Sequence, residues 1–420
     1  MKKFLALTIA VCLLFCACTA APAPTAEPTT EPSTQPTEPP TEPLLSAQQM
    51  LDAVLTHAQL KADAVTITKS EFADEAANIY AINFDSQTHR YFYTVDAKTG
   101  SLLTYAQERI EPAFRHPLTG APLTEPYKGR ATAVVINNLK AALPHHGVSQ
   151  ADILYELETE GGITRFLAIF TDLSDVADIG PVRSARTFFN SIALSYDAPI
   201  IHCGGSERGI RGYHNDSGSK ISNWAHINEQ SNGSYFFRNY DRYNSGMAWE
   251  HTLFTNGEKL LKGLAAKGYD TQNELDFGLQ FSEDIALNGE VATTVTAHFR
   301  KDKTTTFTYD ESTGLYRAAQ YGKDYIDGNT KEVMTFRNVL VLVTDQWMIA
   351  DSYYYRSYYD LITSGDGYFA CNGEIIPIKW SRDELRGSFC YTLTDGTPLT
   401  LGVGTTYIGI LENKTPVTYE

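Results

Sequence analysis

Arg183, Ser184 and Arg186 stand at the head of a segment, from about Pro181 or Ser184 to Tyr196, in which Phe188, Phe189, Ile192, Ala193 and Tyr196 recur at helical spacing. A cation in the first turn of a helix opposes the macrodipole, at a cost of roughly 0.3–1 kcal/mol. Two such cations imply a negative group nearby. That group could be internal, because Glu156, Glu158 and Glu160 lie on one face of an expected strand and its turn. It could equally be a bound anion seated at the helix start. Other candidates fall at the ends of expected elements. Asn137 and Asn138 end a strand over 131–136, and Arg165 follows the Gly161-Gly162 turn. His202, Gly204, Gly205 and Ser206 close a strand over 198–202, and Arg238 lies near the end of a polar excursion over 212–246. Together they outline an arginine-lined cleft suited to a carboxylate, phosphate or sulfated group.

His202 and Cys203 also invite a thiol-nucleophile reading, in which a hydrolase or transferase would act with Glu156 and Glu158. Adjacent residues of a strand point to opposite faces, so the pair works together only if the backbone turns at Gly204-Gly205. A small buried Cys203 is the simpler reading. Ser206 lacks the G-x-S-x-G context of an activated serine. His145-His146 lies in a turn, and no H-E-x-x-H or C-x-x-C occurs, so neither a metal site nor a cofactor is expected. The tyrosine run 353–359 could stack on sugars, but it also suits strand positions filling both faces of a sheet. A binding protein is favoured over an enzyme, and a structural or assembly role without a small-molecule site is the third possibility.

The elements that must carry these residues sit far along a modular chain. Lys2 and Lys3 precede an apolar run over 4–15 that is too short to span a bilayer. Leu14-Phe15-Cys16-Ala17-Cys18 then reads as a lipobox, with Phe15 where Leu is usual. A signal peptide over 1–17 and a lipid on Cys18 would tie the chain to the extracytoplasmic face of a membrane. Residues 18–43 are a Thr/Pro/Glu-rich stalk that cannot bury a core. The net charge of −16 repels nucleic acid and anionic headgroups, so the lipid is the expected membrane contact.

The expected fold class is α+β with mixed α/β parts. A small α+β domain spans 44–110, where Ser46 caps a helix and strands follow at 64–70, 78–85, 89–96 and 101–107. A mixed α/β body domain spans 115–275, and a β-rich region over 276–415 either completes it or stands alone. Outside the signal region only Cys203, Cys371 and Cys390 remain, and a Cys371–Cys390 disulfide is left open.

Two resemblances follow. Tyr91-Phe92-Tyr93-Thr94-Val95-Asp96 with the Lys98-Thr99-Gly100 turn resembles the PepSY domain, which implies an inhibitory or regulatory module without catalytic residues. The body resembles the YerB-like lipoproteins of Gram-positive bacteria. The matching text includes Val135-Ile136-Asn137-Asn138, Gly161-Gly162-Ile163-Thr164-Arg165-Phe166, Gly180-Pro181-Val182-Arg183-Ser184-Ala185-Arg186 and His202-Cys203-Gly204-Gly205-Ser206. Near the end, Lys379-Trp380-Ser381 and Gly404-Thr405-Thr406-Tyr407-Ile408 match the second domain of that family. Its W-R-D…R element is replaced here by Phe237-Arg238-Asn239 and Asp241-Arg242. The resemblance implies a two-part body at the cell envelope and no reaction. The partners it implies are the membrane, through the lipid, and an anionic or glycan envelope ligand or a protein.

Overall fold

The computed structural model describes residues 43–205, 226–269, 276–350, 355–412 and 417–420. The signal, Cys18, nearly all of the stalk, Ser206, Tyr353 and Tyr354 lie outside the described residues. The chain divides into two units, Met1–Glu111 and Pro112–Glu420.

In the first unit Ser46 and Gln49 form a reciprocal capping box that starts α1 (Ala47–Ala58). The helix buries Met50, Leu51, Val54 and Leu55 against an antiparallel meander of β1 (Thr66–Asp74), β2 (Ile79–Asp85), β3 (His89–Asp96) and β4 (Leu102–Arg109). Tyr91, Tyr93 and Val95 alternate inward along β3. The turn after β3 forms because Asp96 Oδ1 accepts from the Lys98 and Thr99 amides, while Gly100 takes φ +73°.

The second unit is built on a sheet of eleven strands. Its first half comprises β5 (Thr132–Asn138), β6 (Ile153–Glu158), β7 (Thr164–Phe170), β8 (Ile200–His202) and β9 (His226–Asn228). The strands β5, β6 and β7 are buried at every position, as their near-continuous apolar text requires of strands covered on both faces. From the second half come β13 (Asn338–Thr344), β14 (Ser364–Cys371), β15 (Glu374–Ser381), β16 (Cys390–Leu393) and β17 (Thr406–Glu412). The order is β9-β8-β5-β7-β6-β17-β13-β14-β15, with β16 and Glu290–Val291 both paired to β15. The boundary expected at 275/276 therefore runs through one shared sheet, because β17 pairs in parallel with β6 on one side and β13 on the other.

Side chains alternate between the faces. Ala133, Val135, Tyr155 and Leu157 join a core closed by α2 (Thr187–Ser195), through Phe188, Phe189 and Ile192. Val134, Ile136 and Leu154 join a second core on the other face. That face is covered by α3 (Gly257–Ala266), with Leu260 and Leu264, and by a six-stranded sheet. The sheet contains β10 (Thr294–Arg300), β11 (Lys303–Asp310), β12 (Leu315–Gln320) and β18 (Val417–Tyr419). Tyr359, the last of the tyrosine run, is buried and donates to the Glu158 carbonyl at 3.1 Å.

One sequence expectation needs correction, and one open question is answered. The helix begins at Thr187, with Arg186 as its N-cap, and residues 181–186 are extended. Their backbone is claimed by neighbours: Val182 N donates to Leu253 O, Arg183 N to Val135 O and Ala185 N to Gly204 O. Arg183 and Ser184 thus lie ahead of the helix. The open disulfide is absent, since Cys371 and Cys390 are both free. Cys371 pairs across from Glu374 and Cys390 across from Ser381, at opposite ends of β15, roughly 23 Å apart along the strand.

The two sheets are joined by a buried charge pair. Glu156 is fully buried, and its Oε1 lies 2.8 Å from Lys303 Nζ. The same oxygen accepts from Asn138 Nδ2 and Thr164 Oγ1, and Oε2 accepts from Thr305 Oγ1 and Tyr407 Oη. Lys303 also donates to Gln320 Oε1 and sits 5.0 Å from the centre of the Tyr321 ring. Burial depresses the Lys303 pKa, although the Glu156 carboxylate acts the other way. Every carboxylate oxygen is satisfied, which is what makes such a pair tolerable. Lys303→Met should destabilise the chain by about 3–5 kcal/mol in urea unfolding, because it strands the carboxylate. The double change Glu156→Gln, Lys303→Met should recover part of that loss; no recovery would mean the pair is not coupled.

Candidate functional site

Strands β5, β8 and β9 run parallel and end side by side. Their carboxyl ends carry Asn137 and Asn138, His202 to Gly205, and Asn228 with Glu229. In open α/β sheets ligands settle outside such strand ends. Gly204 takes φ +64°, and a Cβ there would come within 2.9 Å of Gln230 Nε2. Its amide donates to Asn228 Oδ1 at 2.8 Å, which fixes the turn after β8 against β9. Gly205 continues that turn through a parallel bridge to Ala185.

The arginines separate into two kinds. Arg186 is buried, and its Nε and Nη2 fork onto the two Glu160 oxygens while Nη1 donates to Ala185 O. Burial alone would push Glu160 up, but the Arg186 bond and charge, helped by Arg165, hold it at about 2. Arg165 donates to Ser184 O at 2.8 Å, so Ser184 contributes a carbonyl there. Arg242 donates to the carbonyls of Ala142, Pro144 and His251. Arg183 and Arg238 are held differently. Arg183 Nη1 is 3.7 Å from Glu250 Oε2, and its buried Nε has no hydrogen-bond partner among the described residues. Arg238 Nη2 is 3.8 Å from Glu229 Oε1, Nη1 donates to Trp249 O, and Cζ lies 4.4 Å from the centre of the Trp249 ring.

Asn137 belongs to the same end of the sheet. Its side-chain amide donates to His251 Nδ1 at 2.9 Å. Burial lowers the His251 pKa, in keeping with an imidazole that accepts this bond. Asn138, Glu156 and Glu158 face the second sheet instead, where Glu158 takes Arg300 Nε at 2.6 Å. The carboxylates beside the candidate arginines are therefore Glu160, Glu229 and Glu250. Glu229, Trp249 and Glu250 went unmarked in the sequence. The one available signal was Trp249-Glu250-His251, a polar and aromatic cluster directly before the buried strand Leu253–Asn256.

His202 and Cys203 face different partners. His202 Nδ1 bonds to Gly204 O at 2.7 Å, and Nε2 is 3.3 Å from His226 Nδ1. Cys203 Sγ donates to Glu229 Oε2 at 3.3 Å. Burial, the bond to Glu229 and its charge push the thiol up to about 11. This favours the thiol over the thiolate a nucleophile needs. Among the described residues no three His, Cys, Asp or Glu side chains group as metal ligands.

Alkylation by iodoacetamide, mapped by mass spectrometry, should leave Cys203 slow at pH 8 beside the exposed Cys390. Its rate should climb as pH approaches 11, and Glu229→Gln should shift that climb to lower pH. Rapid labelling of Cys203 at pH 7 would contradict the arrangement.

Two family models match the chain: the N-terminal domain of "Protein of unknown function (DUF3048)" over residues 118–270, and the C-terminal domain of the same family over 295–408. The chain is 26% identical over 309 residues to a Bacillus subtilis (strain 168) protein named "Putative lipoprotein YerB", covering 71% of this chain and 86% of that protein. It is similar to the crystal structure of YerB protein from Bacillus subtilis, with a TM-score of 0.61 and 26% identity over 72% of this chain and 99% of the other. The chain belongs to this YerB-like DUF3048 family, whose N- and C-terminal domains it carries in order.

Proposed function

We propose that the chain is an extracytoplasmic lipoprotein, anchored through Cys18, that binds a cell-envelope ligand or partner by an anionic group placed between Arg183 and Arg238. The observation that carries this reading is the contrast among the arginines. Arg186 and Arg242 spend their donors on internal oxygens, whereas Arg183 keeps a carboxylate only at 3.7 Å, and Arg238, beyond one bond to the Trp249 carbonyl, keeps one only at 3.8 Å. Both lie close to the strand ends of a parallel patch, and their side chains are 23% and 19% exposed. A carboxylate or phosphate there would gain charge-assisted bonds that Glu229 and Glu250 do not make.

The anchor is supported by the lipobox around Cys18 and by the name of the Bacillus relative. No helix among the described residues is long and apolar enough to cross a membrane. The PepSY-like unit would regulate or dock. The placement of Cys203 against Glu229 supports binding over thiol chemistry.

Thermal unfolding of the mature chain tests the site. Phosphate, citrate or galacturonate at millimolar concentration should raise the midpoint by a few degrees, as ligand linkage requires. Arg183→Ala with Arg238→Ala should abolish the rise, and an undiminished rise would place the anion elsewhere. Separately, Cys18→Ala should move the chain from the membrane fraction to the soluble fraction, and retention on the membrane would exclude this anchor.

A further inference from the structure

Beside Arg238 three aromatic rings face outward: Trp249 is 48% exposed, Tyr243 49% and Tyr240 62%. Tyr243 meets Trp249 edge-on with ring centres 5.5 Å apart, and Tyr240 lies 6.4 Å from it. The segment that carries them is pinned to the body. Arg242, buried and placed between Tyr240 and Tyr243 in sequence, donates to three carbonyls and lies 5.3 Å from the centre of the Phe254 ring. Asn239 caps the short helix Tyr240–Asn244, and its amide donates to Thr252 O. Large aromatic side chains normally contribute by burial. Here the buried bonds hold them in the open, which is the mark of a contact surface.

The groups around the rings decide the occupant. Arg238 packs against one face of Trp249, with Glu229 beside it, and Arg183 stands with Glu250. A lipid tail or an apolar helix would have to desolvate these charges without replacing their partners. A single-stranded nucleic acid would stack its bases, but the net charge of −16 opposes it. A pyranose ring presents an apolar C–H face to an aromatic ring and a rim of hydroxyls that can both donate to carboxylates and accept from guanidinium groups.

We infer that Tyr240, Tyr243 and Trp249 form a glycan-stacking subsite, in which a polymer of pyranose rings lies on the aromatics while Arg238, Arg183 and their carboxylates take its hydroxyls. The inference rests on the proposed binding role in placing the ligand beside these two arginines. It adds the ligand class and the stacking surface.

Isothermal titration of the detergent-solubilised mature chain with cellohexaose, chitohexaose and hexagalacturonate tests it. At least one should bind, and Trp249→Ala and Tyr243→Ala should each weaken that binding about tenfold or more, as loss of a stacking ring implies. Their thermal midpoints should stay near that of the unaltered chain, since both rings are exposed. Absence of binding by all three sugars at millimolar concentration would overturn the inference, and so would binding that both variants leave unchanged. The two readings fail separately. An anion-induced rise in midpoint without sugar binding would overturn the stacking subsite and leave the arginine site standing. Sugar binding lost in Trp249→Ala, without any anion effect, would uphold the subsite and remove the anion reading.

Discussion

The contact between Glu156 and Lys303 is the constraint around which the body is organised. A carboxylate and an ammonium removed from water would be costly alone. Together, with Asn138, Thr164, Thr305 and Tyr407 on the two carboxylate oxygens, they are compensated only in one relative placement of the two sheets. Apolar burial on the same face, through Val295, Phe307 and Tyr407, supplies cohesion without fixing direction. The hydrogen bonds fix direction. Glu158 with Arg300 repeats the pattern one step further along β6.

That division of labour frees the strand ends. The carboxylates on β6 serve the interior, so the charge balance at the ends of β5, β8 and β9 rests on Glu160, Glu229 and Glu250. The Glu160–Arg186 fork is buried and bidentate, and it holds the start of α2 in place. Beyond it the pairs loosen towards solvent, and the aromatic segment continues the same rim. The gradient from buried fork to distant pair is a physical one: each step outward lowers the desolvation cost and leaves more donor capacity for another molecule.

Much of this was legible wherever physics acts locally. The apolar run of β5, the capping box at Ser46 and the turn after Asp96 all declare themselves over a few residues. The strand β11 begins at Lys303, and a lysine at a strand start ordinarily marks a solvated edge, so nothing local in the sequence marks this one as buried. Its partner lies far away in sequence, across two sheets, where no periodicity points. The start of α2 was misplaced for a related reason. Helical spacing extends back to Ser184, yet Val135, Gly204 and Leu253 supply carbonyls that draw the backbone of 181–186 into extended pairing. Arg183, Arg186 and Arg238 stand beside Glu250, Glu160 and Glu229, and two of those three carboxylates belong to segments without a repeating pattern.

The position of β17 has a consequence for how the chain is made. It is the strand that joins the two halves of the large sheet, and it spans Thr406–Glu412 of a chain of 420 residues. Because β17 follows β6 and β13 in the chain, a polypeptide that emerges amino-terminus first holds both with open edges until β17 appears. The halves cannot lock early. Removing β17 would leave two unsealed sheet edges, on β6 and β13, rather than a slightly smaller sheet.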